Sequence, residues 1–82
     1  MFYLIMCRSL TYAQRAANAL ERAGITARVL RSPAVISPSG CGYSVKIAQR
    51  HLSHALTVLN RNRLPYAGIY VGGDRGYREV EP

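Results

Sequence analysis

Apolar and polar positions divide the chain into two similar halves, each of which predicts a strand, a helix and a second strand. Residues 2–7 form a continuous apolar run, which is typical of a strand buried on both faces. Thr11 is the predicted N-cap of a helix that stops at Gly24. Its apolar face repeats with helical spacing and comprises Ala13, Ala16, Ala17 and Leu20. Residues 25–30 then alternate well enough to predict a second strand.

The second half repeats this order after an irregular segment. Residues 31–42 contain two prolines, two glycines and three serines, which predicts a long loop. Residues 43–47 alternate and predict a third strand with one buried face. A second helix is expected next, with an apolar face of Leu52, Ala55, Leu56 and Leu59, and residues 67–71 predict a fourth strand. We expect one domain over residues 1–72 and a loosely held tail over 73–82, which is rich in glycine and charge.

The order βαββαβ predicts an α+β fold of the ferredoxin-like kind, an antiparallel sheet with both helices on one face. In that topology the β–α turn of the first half, the long loop and the turn before the last strand meet at one end of the sheet. Cys7, Arg8, Arg31, Cys41 and the start of the first helix would then be neighbours. The first strand is apolar on both sides, but the helices cover only one face of the sheet. We therefore expect its other face to be buried by another copy of the chain, as a homodimer, or by a partner.

The charge of the chain favours anionic partners. Eleven basic residues, ten of them arginine, oppose four acidic ones and give a net charge of +7 over 82 residues. A solvated basic surface explains this equally well, since the arginines form no run. Nucleic acid is the least favoured partner, because no nucleic-acid motif is present and Tyr43 patterns with the buried Val45 and Ile47. The sheet is therefore expected to lack solvent-facing aromatic residues.

Two cysteines do not make a disulfide framework, and the apolar N-terminus is too short for a signal-peptide core or a membrane span. The expected location is the cytoplasm. His51 and His54 fall on the second helix, which starts at the far end of the sheet from Cys41, so neither is expected to activate a thiol. No metal-ligand spacing and no paired carboxylates are found. We therefore expect no metal, no cofactor and no catalytic turnover.

Cys41 is the one residue whose setting suggests chemistry. Gly40 and Gly42 flank it and leave its sulfur unshielded, and nearby positive charge or a helix N-terminus would favour the thiolate. Ser37 and Ser39 could donate hydrogen bonds to a thiolate, or could simply form turns. The alternative is that Cys41 is an inert side chain in a tight turn. Cys7 is expected in the core, with a resolving thiol for Cys41 as its second interpretation.

Three stretches of the chain resemble the small selenium/sulfur carrier protein-like family over residues 2–71. These stretches are Tyr3-Leu4-Ile5, the helix exit Ala16…Ala19-Leu20…Ala23-Gly24-Ile25, and Pro33…Ile36-Ser37…Ser39-Gly40-Cys41-Gly42. The resemblance implies that Cys41 accepts sulfur or selenium as a persulfide-type adduct, framed by Pro33 and Gly42, and that donor and acceptor proteins are the partners. The chain has Ala34 where members often carry a basic residue. The alternative function is a protein- or anion-binding module in which Cys41 is structural.

Overall fold

The computed structural model describes residues 1–36, 42–73 and 76–80. Within these residues the chain forms five strands and two helices: β1 (Phe2–Cys7), α1 (Leu10–Arg22), β2 (Arg28–Arg31), β3 (Tyr43–Ala48), α2 (Leu52–Arg61), β4 (Gly68–Gly73) and β5 (Gly76–Val80). A short 3-10 turn, Gln49–His51, leads directly into α2. The second strand is shorter than the alternation predicted, and it begins three residues later.

Helix α1 buries the face that its spacing predicts, namely Ala13, Ala16, Ala17 and Leu20. Its N-cap is Ser9 and not Thr11, because the Ser9 hydroxyl accepts a hydrogen bond from the Tyr12 N–H at 3.3 Å. At its other end Gly24 adopts a φ of +85°, and the Ile25 N–H donates to the Leu20 carbonyl at 2.9 Å. This pattern of helix termination needs a left-handed residue, which confirms Gly24 as the stop.

The sheet is antiparallel throughout and has the order β2-β3-β1-β4-β5. The prediction of an α+β fold with an antiparallel sheet and two helices is confirmed. The plain ferredoxin-like βαββαβ arrangement is not, because a fifth strand pairs with β4 and extends the sheet. That strand lies in the segment to which the sequence pattern assigned no element, since Tyr77 and Val80 are too few apolar residues to mark a strand.

Both helices pack on the same face of the sheet. Their apolar faces form one core with the sheet residues Ile5, Cys7, Val45 and Ile47. The opposite face, here called the open face, carries the alternate residues of each strand. Leu4 lies on that open face and is only 1% exposed in the single chain. Its burial therefore needs no second copy, contrary to the reasoning from the apolar first strand.

Candidate functional site

One end of the sheet gathers the turns that the topology predicts. Cys7 at the end of β1 lies opposite Tyr43 at the start of β3, and Tyr43 lies opposite Arg31 at the end of β2. The turn before β4 reaches the same end, where the Ala67 N–H donates to the Met6 carbonyl at 2.7 Å. Cys7 and Arg31 therefore lie in one row across three strands, with Arg8 directly after that row.

The loop between β2 and β3 starts from a fixed base at this end. The Ser32 N–H donates to the Gly42 carbonyl at 3.2 Å. The hydroxyl groups of Ser32 and Ser44 share a hydrogen bond of 2.7 Å, and both residues are buried. After Ser32, the Ile36 N–H donates to the Pro33 carbonyl at 3.1 Å and closes a turn. The two ends of the loop are thus joined by main-chain and side-chain hydrogen bonds.

Gly42 ends this loop with a φ of +115°, a conformation that residues with a Cβ rarely adopt. The sequence predicts Gly42 as a site residue because a glycine beside Cys41 leaves its sulfur unshielded. The positive φ is a second reason why this position is a glycine. Four further predicted site residues, Ser37, Ser39, Gly40 and Cys41, lie outside the described residues. Their roles remain predictions.

The surroundings of the loop base are basic. The Arg31 guanidinium carbon lies 5.9 Å from the centre of the Tyr43 ring, within the range of a cation–π contact. Arg31 and Arg8 are both exposed. Helix α1 starts at the same end, and its first turn contains no acidic residue. An anion near this end of the sheet would therefore meet positive charge and the positive end of a helix dipole.

Cys7 is a core residue. Its side chain is 1% exposed and packs with the residues of both helices. Burial raises the pKa of the Cys7 thiol from its ordinary value of 9.0 to about 11. The sulfur lies 3.7 Å from the Ile5 carbonyl oxygen, to which the thiol donates. The thiol is accordingly protonated at neutral pH and has little nucleophilic character, since the thiolate is the reactive form.

The histidines lie away from the loop base. His51 lines a groove at the opposite end of the sheet, where Ala48 pairs with Phe2, and His54 is exposed on α2. Over residues 1–36, 42–73 and 76–80, no three His, Cys, Asp or Glu side chains are grouped so that they could bind a metal ion. In the same residues neither helix combines the length and the apolar character that crossing a membrane requires.

Two features of the molecule were not predicted from the sequence. One is the buried pair formed by Ser32 and Ser44, for which the only signal is a serine on each side of the irregular segment. The other is a set of aromatic residues on the open face, namely Phe2, Tyr70 and Tyr77. Strict alternation around Ile69 and Val71 marks Tyr70 as facing away from the core. The premise that the sheet lacks outward-facing aromatic residues is therefore wrong.

Comparison with known proteins adds one match. A family model described as "Putative Se/S carrier protein-like" matches residues 2–71, which cover both helices, the β2–β3 loop and most of β4. No curated protein and no solved structure matches the chain.

Proposed function

Because the chain belongs to the family described as putative Se/S carrier protein-like, we propose that it carries sulfur or selenium on Cys41. The observation that supports Cys41 as the acceptor is the state of the other thiol. Cys7 is buried and its pKa is raised to about 11, so it is protonated at neutral pH. The chain contains two cysteines, which leaves Cys41 as the candidate nucleophile.

The proposed loading step is a transfer between two sulfur atoms. The Cys41 thiolate attacks the outer sulfur of a cysteine persulfide on a donor protein, and a new S–S bond forms. The S–S bond of the donor breaks, and the donor cysteine leaves as a thiolate, so no net oxidation or reduction occurs. The outer hydrogen moves with its sulfur. A donor that presents a selenium atom in the outer position would react in the same way.

The base of the loop supports this role. Ser32 and Gly42 are joined by a main-chain hydrogen bond, so the loop leaves the sheet from a defined position. The positive charges of Arg8 and Arg31 and the start of α1 lie at the same end of the sheet. Such a setting lowers the pKa of a nearby thiol and stabilises an anionic persulfide.

The partners of such a carrier are a donor protein and an acceptor protein, and the chain itself performs no turnover. The net charge of +7 would favour encounter with acidic surfaces on both. A compartment that keeps thiols reduced, such as the cytoplasm, would keep Cys41 available for loading. The same Cys41 would serve both exchange steps.

Intact and peptide mass spectrometry tests the proposal. The protein is incubated with a cysteine desulfurase and cysteine, and the wild type is compared with Cys41→Ser and with Cys7→Ala. The wild type and Cys7→Ala are expected to gain one sulfur atom on the peptide that contains Cys41. A reducing agent should remove that atom, and Cys41→Ser should gain none.

An adduct on Cys7, or equal adducts in the wild type and in Cys41→Ser, would contradict the proposal. If no adduct forms and Cys41 also reacts slowly with alkylating reagents near neutral pH, Cys41 is a structural residue of the loop. The chain would then be better described as a protein- or anion-binding module, the alternative that the sequence leaves open.

A further inference from the structure

The open face of the sheet carries a row of aromatic rings. Phe2 on β1, Gly72 on β4 and Tyr77 on β5 are directly opposite one another in register, so the two rings meet above the glycine. Their centres are 6.2 Å apart and their planes are inclined by 68°. Tyr70, two residues before Gly72 along β4, adds a third ring on the same face. Phe2 and Tyr70 are partly exposed, and Tyr77 is 37% exposed.

Glycine at position 72 is what permits this row. A Cβ at Gly72 would lie 2.6 Å from the Phe2 ring and 2.9 Å from the Tyr77 ring, which no side chain could accommodate without displacing them. The two aromatic side chains therefore cover the backbone of β4 directly. The result is one continuous aromatic surface formed by two rings that are inclined to each other, and not a set of isolated exposed side chains.

A basic groove adjoins the row at Phe2. It has a volume of about 380 Å³, and its lining includes Phe2, Arg28, Lys46, Arg50 and His51. Lys46 and Arg28 are opposite each other in register, and the Lys46 ammonium lies 4.3 Å from the centre of the Phe2 ring. None of the described residues that line the groove carries a carboxylate. Aromatic surface and positive charge thus meet at one residue, Phe2.

We propose that this face binds single-stranded nucleic acid. Phosphate groups would lie in the groove beside Arg28, Lys46 and Arg50, and successive bases would stack on Phe2, Tyr77 and Tyr70. Flat rings with a sequence-tolerant stacking surface, next to a basic groove that follows the backbone, are what single strands require. From β2 to β5 the face is about 19 Å wide at ordinary strand spacing, which suits roughly three bases.

Charge favours this partner over a second copy of the chain, even with Glu79 opposite Tyr70 on the same face. In a symmetric dimer the same patch lies on both subunits, so two such faces would bring their basic grooves into one interface. Like charges there cost free energy, whereas phosphates neutralise them and release counterions. The inference does not rest on the proposed role of Cys41, since no step of it involves the thiol.

Fluorescence anisotropy with a labelled 12-nucleotide oligouridylate tests the proposal on the full chain. We expect saturable binding that weakens steeply with salt, and weaker binding to a duplex of equal length. Arg28→Glu should lower the affinity at least tenfold. Its control is Arg15→Glu, an equal change of charge at an exposed position on α1, which should lower it less than threefold.

The aromatic row is tested by a second matched pair. Tyr77→Ala is expected to weaken binding about fivefold or more, because stacking on one aromatic residue contributes about 1–3 kcal/mol per base. Tyr12→Ala removes a ring of equal exposure from α1, 38% against 37%, and should leave the affinity unchanged. Tyr77→Phe retains the ring and should bind like the wild type. Lys46→Gln should also weaken binding, because it removes a charge from the groove. Its effect does not depend on the stability of β5.

Equal losses from Arg28→Glu and Arg15→Glu would show a general effect of net charge, and equal affinity for single strand and duplex would remove the role of stacking. A wild-type dimer in light scattering that Tyr77→Ala converts to monomer would make a second copy the occupant of the face. Cys41→Ser should bind like the wild type, which separates this test from that of the proposed function.

Discussion

The side-chain oxygens of Ser32 and Ser44 lie 2.7 Å apart in a buried position at the base of the loop that contains Cys41. One hydroxyl donates a hydrogen bond to the other, so each of these two buried oxygens has a hydrogen-bond partner although both are shielded from water. Ser44 belongs to a central part of the sheet, whereas Ser32 is the first residue after β2. Their bond therefore ties the start of the loop to the strand that follows it.

Loss of either hydroxyl should destabilise the fold, because the remaining buried hydroxyl would have no partner. We expect Ser32→Ala and Ser44→Ala each to lower the free energy of unfolding by about 1–3 kcal/mol. The double variant should lose less than the sum of the single losses, since both polar atoms are then removed. Denaturant unfolding of the four proteins measures this coupling. Additive losses would show that the two hydroxyls do not interact.

Thiol titration should distinguish the two cysteines. In the folded wild type we expect a disulfide reagent such as Ellman's to modify one thiol rapidly and the second only on unfolding. Cys7 is the slow one, because it is 1% exposed and its pKa is raised to about 11. Cys7→Ala should therefore retain the rapid phase, and Cys41→Ser should lose it. A rapid phase of wild-type amplitude in Cys41→Ser would assign the reactive thiol to Cys7 and contradict the burial of its side chain.

Some features of this end of the molecule could be predicted from apolar spacing and the order of the elements, and others could not. The helices follow from apolar spacing, and the meeting of Cys7 with Arg31 follows from the order of strands and helices alone. The N-cap at Ser9 does not, since Ser9 and Thr11 offer the same chemistry and only the backbone geometry selects between them. The sequence therefore predicts the start of α1 to within two residues and no more closely.

The open face was harder to predict for a different reason. Phe2 sits in a continuous apolar run, which carries no information about which side chains face outward. Tyr77 lies in β5, whose sequence has too little apolar alternation to indicate a strand. That strand exists because the exposed edge of β4 supplies backbone partners from Ile69 to Gly73. Such pairing is a tertiary effect that a single sequence does not encode locally.

Alkaline pH should weaken the fold through Cys7. Its pKa is raised by burial from 9.0 to about 11, so the unfolded state loses its proton first as the pH rises. The stabilisation is fully present below pH 9 and is lost as the pH rises through 11, by about 3 kcal/mol in total for a shift of this size. Cys7→Ala serves as the reference, because it lacks this thiol and keeps every other side chain. The difference in unfolding free energy between the two proteins should shrink from pH 8 to pH 11, and a constant difference would contradict the burial of a neutral thiol.

Arg63 occupies a position that glycine would fill better. Its φ is +54°, and the hydrogen bond from the Leu64 N–H to the Leu59 carbonyl at 3.0 Å ends α2 as the corresponding bond ends α1 at Gly24. A side chain in this left-handed conformation costs about 1 kcal/mol. Arg63→Gly should therefore raise the free energy of unfolding by about that amount in denaturant titrations. Arg63→Ala keeps the Cβ and should give no gain, so equal stabilisation by both variants would attribute the effect to the arginine charge.

Gly72 and Gly73 offer a direct test of the aromatic row, because both lie in β4 and differ in what covers them. A Cβ at Gly72 would meet the Phe2 ring at 2.6 Å, whereas at Gly73 the nearest atom is the Met1 Cγ at 3.6 Å, an ordinary contact. Gly72→Ala should lower the free energy of unfolding by about 1–3 kcal/mol, as overpacking does. Gly73→Ala should change it by less than about 1 kcal/mol, since alanine fits an extended backbone. Chemical denaturation gives both values, and the near-ultraviolet circular dichroism of the tyrosines reports the displaced ring. Equal stability of the two variants would mean that Phe2 and Tyr77 do not cover Gly72, and the stacking surface inferred from them would be lost with it.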